Sequence, residues 1–472
     1  MKLHDVLLTP HVPKHSLLPS LREFTLDSFP RSYALSAWRD YYLDTATNPL
    51  HPALLFCGAI SMIVWLLGEI TGNVSQVDRL WTTLPLIYSA HFTFIPYLNG
   101  SVSHISDLDH RMLLVFALQC CWSARLTYQS ARRGFLDPRS EDYRWPLVRN
   151  KIPTWAFKLL NFVFIAWIQN ILLMIAELPQ YLLLTHSLAS SGHVSQLKRL
   201  TSKHAESVRV PLNVADAVLA AAFLTTLVFE MRADNQQQRF QNLKHAALKK
   251  DPSTRTDKEK KAIERGFVTG GLWSWMRHPN FACEQLTWYI LYGFTVLPFL
   301  PLASSITSHP LSTFSSHLTR SNTTKFLVSV SDAFPSIDQL LTAIEHPIAY
   351  FKHLDLDWNS LRTRIPADLK LAGSLAVKEW KRDEGVYWNY TIVAPLLMSS
   401  LFFASTDLTE KISAGKYPLY KVYQKRVAMF VPAMTTFKGL WLFLTGRRGK
   451  VDRQLFGTGE KIMVGKIKEK KL

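Results

Sequence analysis

The chain is expected to be an all-α polytopic membrane protein, a transmembrane helical bundle of about seven spans. Three observations lead there. Apolar residues fall into long runs with the charges gathered between them. A hydrocarbon core ~30 Å thick needs about 20 mostly apolar residues at 1.5 Å rise each, and the runs meet that length. None of the runs alternates with the period of two that a membrane barrel requires, so helices are the assignment.

The runs lie at roughly 49–70, 79–99, 110–128, 156–185, 212–231, 281–303 and 386–405. Residues 1–48 are mixed, with His, Pro and charges, and do not read as a cleaved signal peptide. They have room for a short interfacial helix, and the first run would then target the chain to the membrane. The fourth run is long enough to tilt, or to continue as an interfacial turn at Pro179. Four regions follow: an N-terminal segment 1–48, the bundle with its loops 49–303, a long stretch 304–385, and a last span with a basic region 386–472.

Lys and Arg outnumber Asp and Glu by 54 to 36, a formal charge of +18. The excess sits at 129–158, 232–280 and 407–472, each beside an apolar run, and the positive-inside rule puts all three in the cytosol. The loops near 100–109 and 186–211 and the stretch 304–385 then face a lumen, as does the N-terminus. The triplet Asn322-Thr323-Thr324, a glycosylation acceptor pattern, agrees with that side. No helix-turn-helix, zinc or aromatic-basic pattern points to nucleic acid. The four cysteines, Cys57, Cys120, Cys121 and Cys283, lie in or beside apolar runs and read as buried hydrophobes; no metal site is expected. The last five residues, from Lys468 to Leu472, resemble a dilysine retrieval signal, in keeping with an endoplasmic reticulum membrane; a solvated basic tail is the plainer reading.

Polar groups inside a membrane are costly and are functional candidates by default. Asn170 and Glu177, seven residues apart, share one helix face and could hold a lipid's polar end, or bond a neighbouring helix. Glu230 and Asp234 stand one turn apart at the end of the fifth run, with Arg239 five residues further on. Carboxylates accept ribose hydroxyls and Arg forks bind phosphate, while a solvated helix end would look the same. The densest cluster runs from Thr269-Gly270-Gly271 through Trp273 and Trp275 to Arg277-His278-Pro279-Asn280 and Glu284. Its glycines permit close backbone approach, Arg277 and His278 supply phosphate donors, and Pro279 suits the first turn of a helix whose free N–H groups favour an anion. An interfacial Trp-Arg belt competes with that reading. A last cluster holds Tyr420 and Tyr423 on one face, with Lys421, Lys425 and Arg426 beside them. Such aromatics stack on adenine or nicotinamide rings, and equally lie on anionic lipid as an amphipathic helix.

In this order the clusters resemble a family of membrane proteins of unknown function related to steroid 5-alpha-reductase, the DUF1295 group. Ser140-Glu141-Asp142-Tyr143-Arg144-Trp145-Pro146, the stretch Gly271 to Glu284, and Lys411 through Tyr417-Pro418-Leu419-Tyr420 to Val427 carry the likeness. The helix with Phe162, Gln169-Asn170 and Pro179 fits too, as does Asp234 to Phe240. The likeness runs from about 76 to 300 and from 386 to 432, leaving 304–385 outside. Where the family has an aromatic-Gly pair before the central Glu, this chain reads Phe281-Ala282-Cys283-Glu284.

The resemblance implies a bundle like that of steroid 5-alpha-reductase and the sterol reductases, with a cofactor pocket open to the cytosol and a lipid cavity in the membrane. NADPH would lie along Asp234, Arg239, Arg277, His278, Asn280 and the Tyr420, Tyr423 and Arg426 region. The activity implied is NADPH-dependent reduction of a conjugated C=C in a steroid-like or other lipid, with Glu284, Tyr143 and Glu230 as candidates for the acid, Glu284 first. Asn170 and Glu177 are the substrate-side candidates. An integral membrane methyltransferase using S-adenosylmethionine shares the Arg-His-Pro motif; such enzymes often carry adjacent acids where this chain has Asp407-Leu408-Thr409-Glu410. A non-catalytic lipid-binding protein is the third reading. A transporter is disfavoured, since the two halves do not repeat. Oligomeric state is open.

Overall fold

The computed structural model describes residues 29–191, 211–299 and 389–457, with a few positions between 21 and 27. The described residues are helical and contain no strand; a single parallel bridge pairs Met276 with Ala428. The Asn322-Thr323-Thr324 triplet, the dilysine-like tail and the stretch 304–385, expected to be a lumenal insertion, lie outside them.

Each apolar run becomes helix. A short first helix, α1 (Leu35–Leu43), occupies the segment where an interfacial helix was expected and buries none of its residues. Next come α2 (Leu50–Thr71), the single-turn α3 (Gln76–Leu80), α4 (Leu84–Leu98) and α5 (His110–Arg132). Gly72 ends α2 in the left-handed conformation, φ +66°, and Asp109 caps α5 by accepting from the backbone N–H groups of Arg111 (2.9 Å) and Met112 (3.1 Å). After α6 (Arg144–Arg149) the fourth run does not form one uniform helix. It divides into α7 (Thr154–Leu160), a π-helical stretch (Asn161–Ile168), α8 (Gln169–Ile175), a turn at Ala176–Glu177, and α9 (Leu178–Ser191). Pro179 falls in the first turn of α9, where its missing N–H costs nothing. The rest is α10 (Val214–Lys249), α11 (Asp257–Arg265), α12 (Pro279–Gly293), α13 (Val393–Lys416), α14 (Leu419–Arg426), α15 (Pro432–Leu444) and α16 (Arg448–Phe456).

Four stretches are long and apolar enough to cross a membrane: Leu50–Thr71, Thr154–Thr185, Val214–Lys249 and Tyr390–Lys416. The expectation of seven spans is therefore met only in part. The other three runs are helices with a reason to fall short. α4 and α12 have 15 residues each, about 22 Å. α5 is long enough, but buries Arg111, Gln119, Ser123, Arg125 and Gln129 on its inner side.

The chain divides into two compact units. The larger comprises residues 23–184, 219–293 and 391–472. In it α2 packs on the π-helical stretch and α8, α4 on α5, and α13 on both α8 and α12; α14, α15 and α16 pack on one another, and α14 also on α13. The α2 contact is close because Gly68 leaves room for Asn161, whose amide donates to Glu69 (2.9 Å). The described part of the smaller unit is held by Asn213, which donates to the Pro298 carbonyl (2.8 Å), and by Asn389, which donates to Thr295 (2.9 Å).

α11 has a full capping box of Thr256 and Glu259 and stops at Gly266, φ +78°. A Cβ on Gly266 would stand 2.0 Å from the Tyr417 ring. Gly266→Ala thus meets both left-handed strain and a ring that the neighbouring Phe267, Tyr420 and Tyr423 hold in place. It should cost at least ~2 kcal/mol in thermal melting. Gly271→Ala, also at positive φ but facing the flexible end of Gln236, should cost less.

Candidate functional site

Two charged clusters are built where α5, α10, α12, α13 and α14 meet. The first centres on Arg125 of α5. Its guanidinium reaches Glu230 (2.8 Å) and Asp234 (3.4 Å) on α10 and Glu284 (3.1 Å) on α12, all of them buried. Glu230 and Asp234 lie one turn apart, so one guanidinium can span both. The indole of Trp122, one turn before Arg125, donates to both oxygens of Glu284 (3.0 and 3.1 Å). Asp234 also receives Arg133 (2.7 Å), a half-exposed residue just past α5, and the Asn280 amide (3.1 Å). Glu230 Oε2, Arg125 Nε and Gln129 Nε2 are buried without a hydrogen-bond partner. Unpaired buried groups of both kinds, donor and acceptor, suit a ligand that carries both.

The second cluster centres on Glu410 of α13. Arg277 binds it with a two-pronged ion pair (2.6 and 2.9 Å), Gln424 donates to it (2.9 Å), and His278 Nε2 lies 3.0 Å away. Arg277 also donates to the Val427 carbonyl, and the backbone N–H groups of Arg277 and His278 donate to Ala428 (2.8 Å) and Met429 (3.1 Å). Tyr420 OH lies 3.4 Å from both His278 and Glu410, and Tyr423 OH donates to the Trp273 carbonyl. Burial pushes both phenols up from the ordinary tyrosine range, so they stay protonated at neutral pH. Phe267 stacks on Tyr423 at 5.2 Å and meets Tyr420 edge-on at 4.9 Å.

The stretch Arg277-His278-Pro279-Asn280 joins the two clusters, with its first two residues on Glu410 and its last on Asp234. The expected phosphate donors Arg277 and His278 are thus already held by protein partners. Gly271 likewise makes room for Gln236, whose side-chain oxygen accepts from the Leu272 N–H (3.0 Å).

Burial pushes the His278 imidazole below its ordinary value of 6.5, against an opposing pull from Glu410. The folded protein therefore holds His278 neutral where the unfolded chain would take up a proton. His278 contributes stability that is present above pH 6.5 and lost as pH falls toward the lowered value. Melting temperature should decline through that window, and less steeply in His278→Gln.

Other expected residues are placed elsewhere. Arg239 is exposed, five residues past Asp234. Arg426 pairs with Asp452 of α16 (2.7 Å). Tyr143 is 55% exposed at the start of α6, while its neighbours Glu141, Asp142, Arg144 and Trp145 make the contacts: Glu141 pairs with Arg149, Asp142 with Arg144, and Trp145 donates to Asp78 (3.1 Å). Asn170 and Glu177 are both fully buried. Asn170 donates to its own helix at Ala166 (2.6 Å), and Glu177 accepts from Gln119 of α5 (2.8 Å). Asn170 Oδ1, Glu177 Oε1 and Gln119 Oε1 are left without partners.

Sequence reasoning missed Arg125, Trp122, Arg133 and Glu410. The available signal was an Arg inside an otherwise membrane-length helix, which demands a buried counter-charge.

The family model described as protein of unknown function (DUF1295) matches residues 64–323. The chain belongs to that family. The match holds the whole Arg125 cluster but ends before Glu410, Tyr420, Tyr423 and Gln424, so of the Glu410 cluster it holds Arg277 and His278 and not the carboxylate at its centre. An uncharacterized protein of Schizosaccharomyces pombe is 28% identical over 396 residues, covering 84% of this chain and 82% of the relative. No solved structure matches the chain.

Proposed function

We propose that this DUF1295 protein is a membrane-embedded NADPH-dependent reductase of a conjugated C=C bond in a steroid-like or other lipid, acting in the endoplasmic reticulum membrane. The observation that carries the reading is the Arg125 cluster: three carboxylates and one guanidinium, buried in the bundle, with Glu230 Oε2, Arg125 Nε and Gln129 Nε2 unpaired. That donor set fits the hydroxyls and carboxamide of a nicotinamide nucleotide. Glu230 and Asp234 would accept ribose hydroxyls, Asn280 would orient Asp234, and Arg132 and Arg133 at the end of α5 with the exposed Arg239 of α10 would meet phosphate. The cofactor would supply the hydride.

Within this reading the acid is Glu230 rather than Glu284. Both Glu284 oxygens accept from Trp122, and one also meets Arg125, so Glu284 serves to hold the guanidinium. Glu230 Oε2 accepts no hydrogen bond and has the Glu284 carboxylate as a neighbour, so it is the oxygen that can hold a proton. On the lipid side, Glu177, Gln119 and Asn170 each offer an unpaired oxygen to a polar end. Tyr143, exposed, has no part in it.

One observation favours S-adenosylmethionine instead. Three carboxylates face two guanidiniums, Arg125 and Arg133, and a surplus negative charge suits a sulfonium cation.

The test is NADPH oxidation by the full chain in lipid nanodiscs, started by hydrophobic enones. Reduction consumes one NADPH and one proton per saturated product, and a deuteride-labelled cofactor should leave its label on the product. Glu230→Gln should slow turnover and leave melting near wild type. Methyl transfer from labelled S-adenosylmethionine to lipid, with no NADPH oxidation, would replace the reductase reading.

A further inference from the structure

α15 is a helix of 13 residues, about 20 Å long and too short to cross a hydrocarbon core of ~30 Å. Its two faces are sharply different. Thr435, Gly439 and Leu442 are buried, and α15 packs on α14 and α16. Met434, Phe437, Leu440, Trp441, Phe443 and Leu444 are between 50% and 70% exposed. At 100° per residue these six sweep about half the helix circumference, opposite the buried three. Gly446, at φ +66°, then turns the chain into α16, and Arg447, Arg448, Lys450 and Arg453 follow, all exposed.

An apolar half-cylinder ending in a basic cluster, too short to span, matches the chemistry of a membrane interface with anionic headgroups. We infer that α15 lies in the plane of the membrane surface on the side of the C-terminal region, with its apolar half in the acyl boundary and Arg447, Arg448 and Lys450 on anionic lipid headgroups. This surface is separate from the two charged clusters, and the inference does not depend on what those clusters bind.

The inner face of α15 gives the contact a consequence. Thr435 accepts from the Ala428 N–H (2.8 Å) and donates to the Trp275 carbonyl (2.6 Å), and Lys438 donates to the Gln424 carbonyl (2.8 Å). Trp275 lies two residues before Arg277, and Gln424 is a direct partner of Glu410. Seating α15 on lipid therefore clamps the loop that carries Arg277 and His278.

The experiment uses the full chain in nanodiscs. The Trp441 signal is isolated as wild type minus Trp441→Phe, a change that leaves the helix and its apolar face in place. Lipids brominated near the headgroup end of the acyl chain should quench most of it. Energy transfer to a dansyl-labelled phosphatidylserine should fall about fivefold or more in Arg447→Gln/Arg448→Gln/Lys450→Gln, since each basic group near an anionic surface is worth about fivefold. That variant leaves the apolar face and the buried Thr435, Gly439 and Leu442 untouched and costs only the half-exposed Arg448–Asp452 pair (3.4 Å), so it remains informative if Trp441→Phe folds poorly. An unquenched Trp441 would overturn the proposal, as would energy transfer unaltered by removal of the charges. So would disulfide cross-linking of two copies through Phe437→Cys, which would give the face to a second copy.

Discussion

Arg125→Leu is expected to destabilise the bundle by about 3–5 kcal/mol, the cost of removing one partner from a buried ion cluster. Glu230, Asp234 and Glu284 all draw on this guanidinium, and only Asp234 has a second cation, Arg133. Leucine would leave buried carboxylates crowded together with a single counter-charge at the rim. Thermal melting in detergent should show the loss directly. Adding Glu230→Gln to Arg125→Leu should recover part of it, because one uncompensated charge goes, and the two changes should be non-additive. Additive losses would mean that the cluster is not electrostatically coupled.

Glu410→Ala should be as damaging, again about 3–5 kcal/mol. Arg277 would lose both prongs of its pair, and Gln424 and His278 would lose their acceptor. Arg277→Ala should cost a similar amount by stranding Glu410. The double variant should then be little worse than either single, which puts the coupling energy at about 3 kcal/mol or above, the upper end of what residues in one network show. Since the Arg277 backbone also bonds Ala428, a residual cost in the double variant reports the loop and not the ion pair.

The bundle was legible because membrane length is a property of local sequence: each apolar run became helix. The span count was not, because it depends on partners. Arg125 and Gln119 make α5 too polar by composition, yet Glu230 and Glu284 of other helices and Glu177 of the turn before α9 neutralise or bond them. The same holds for the site. Glu230, Asp234 and Asn280 could be read from spacing near a helix end, and Glu284 from its place one turn past Asn280. Arg125, the partner that Glu230, Asp234 and Glu284 share, lies more than a hundred residues earlier in the chain. Glu410 stood in plain view beside Asp407, but its bond to Arg277 spans 133 residues and has no local signature. Arg277 looked like a phosphate donor because sequence records its charge and not the carboxylate that occupies it.

Cofactor binding by the purified full chain is the most direct measurement. NADPH, NADH and S-adenosylmethionine would be titrated separately, with thermal stability followed for wild type and for Glu230→Gln. NADPH at ~100 times its dissociation constant should stabilise the wild type by about 2.7 kcal/mol, and less in the variant. Stabilisation by S-adenosylmethionine alone, or by none of the three in well-folded protein, would contradict a nicotinamide site at Arg125.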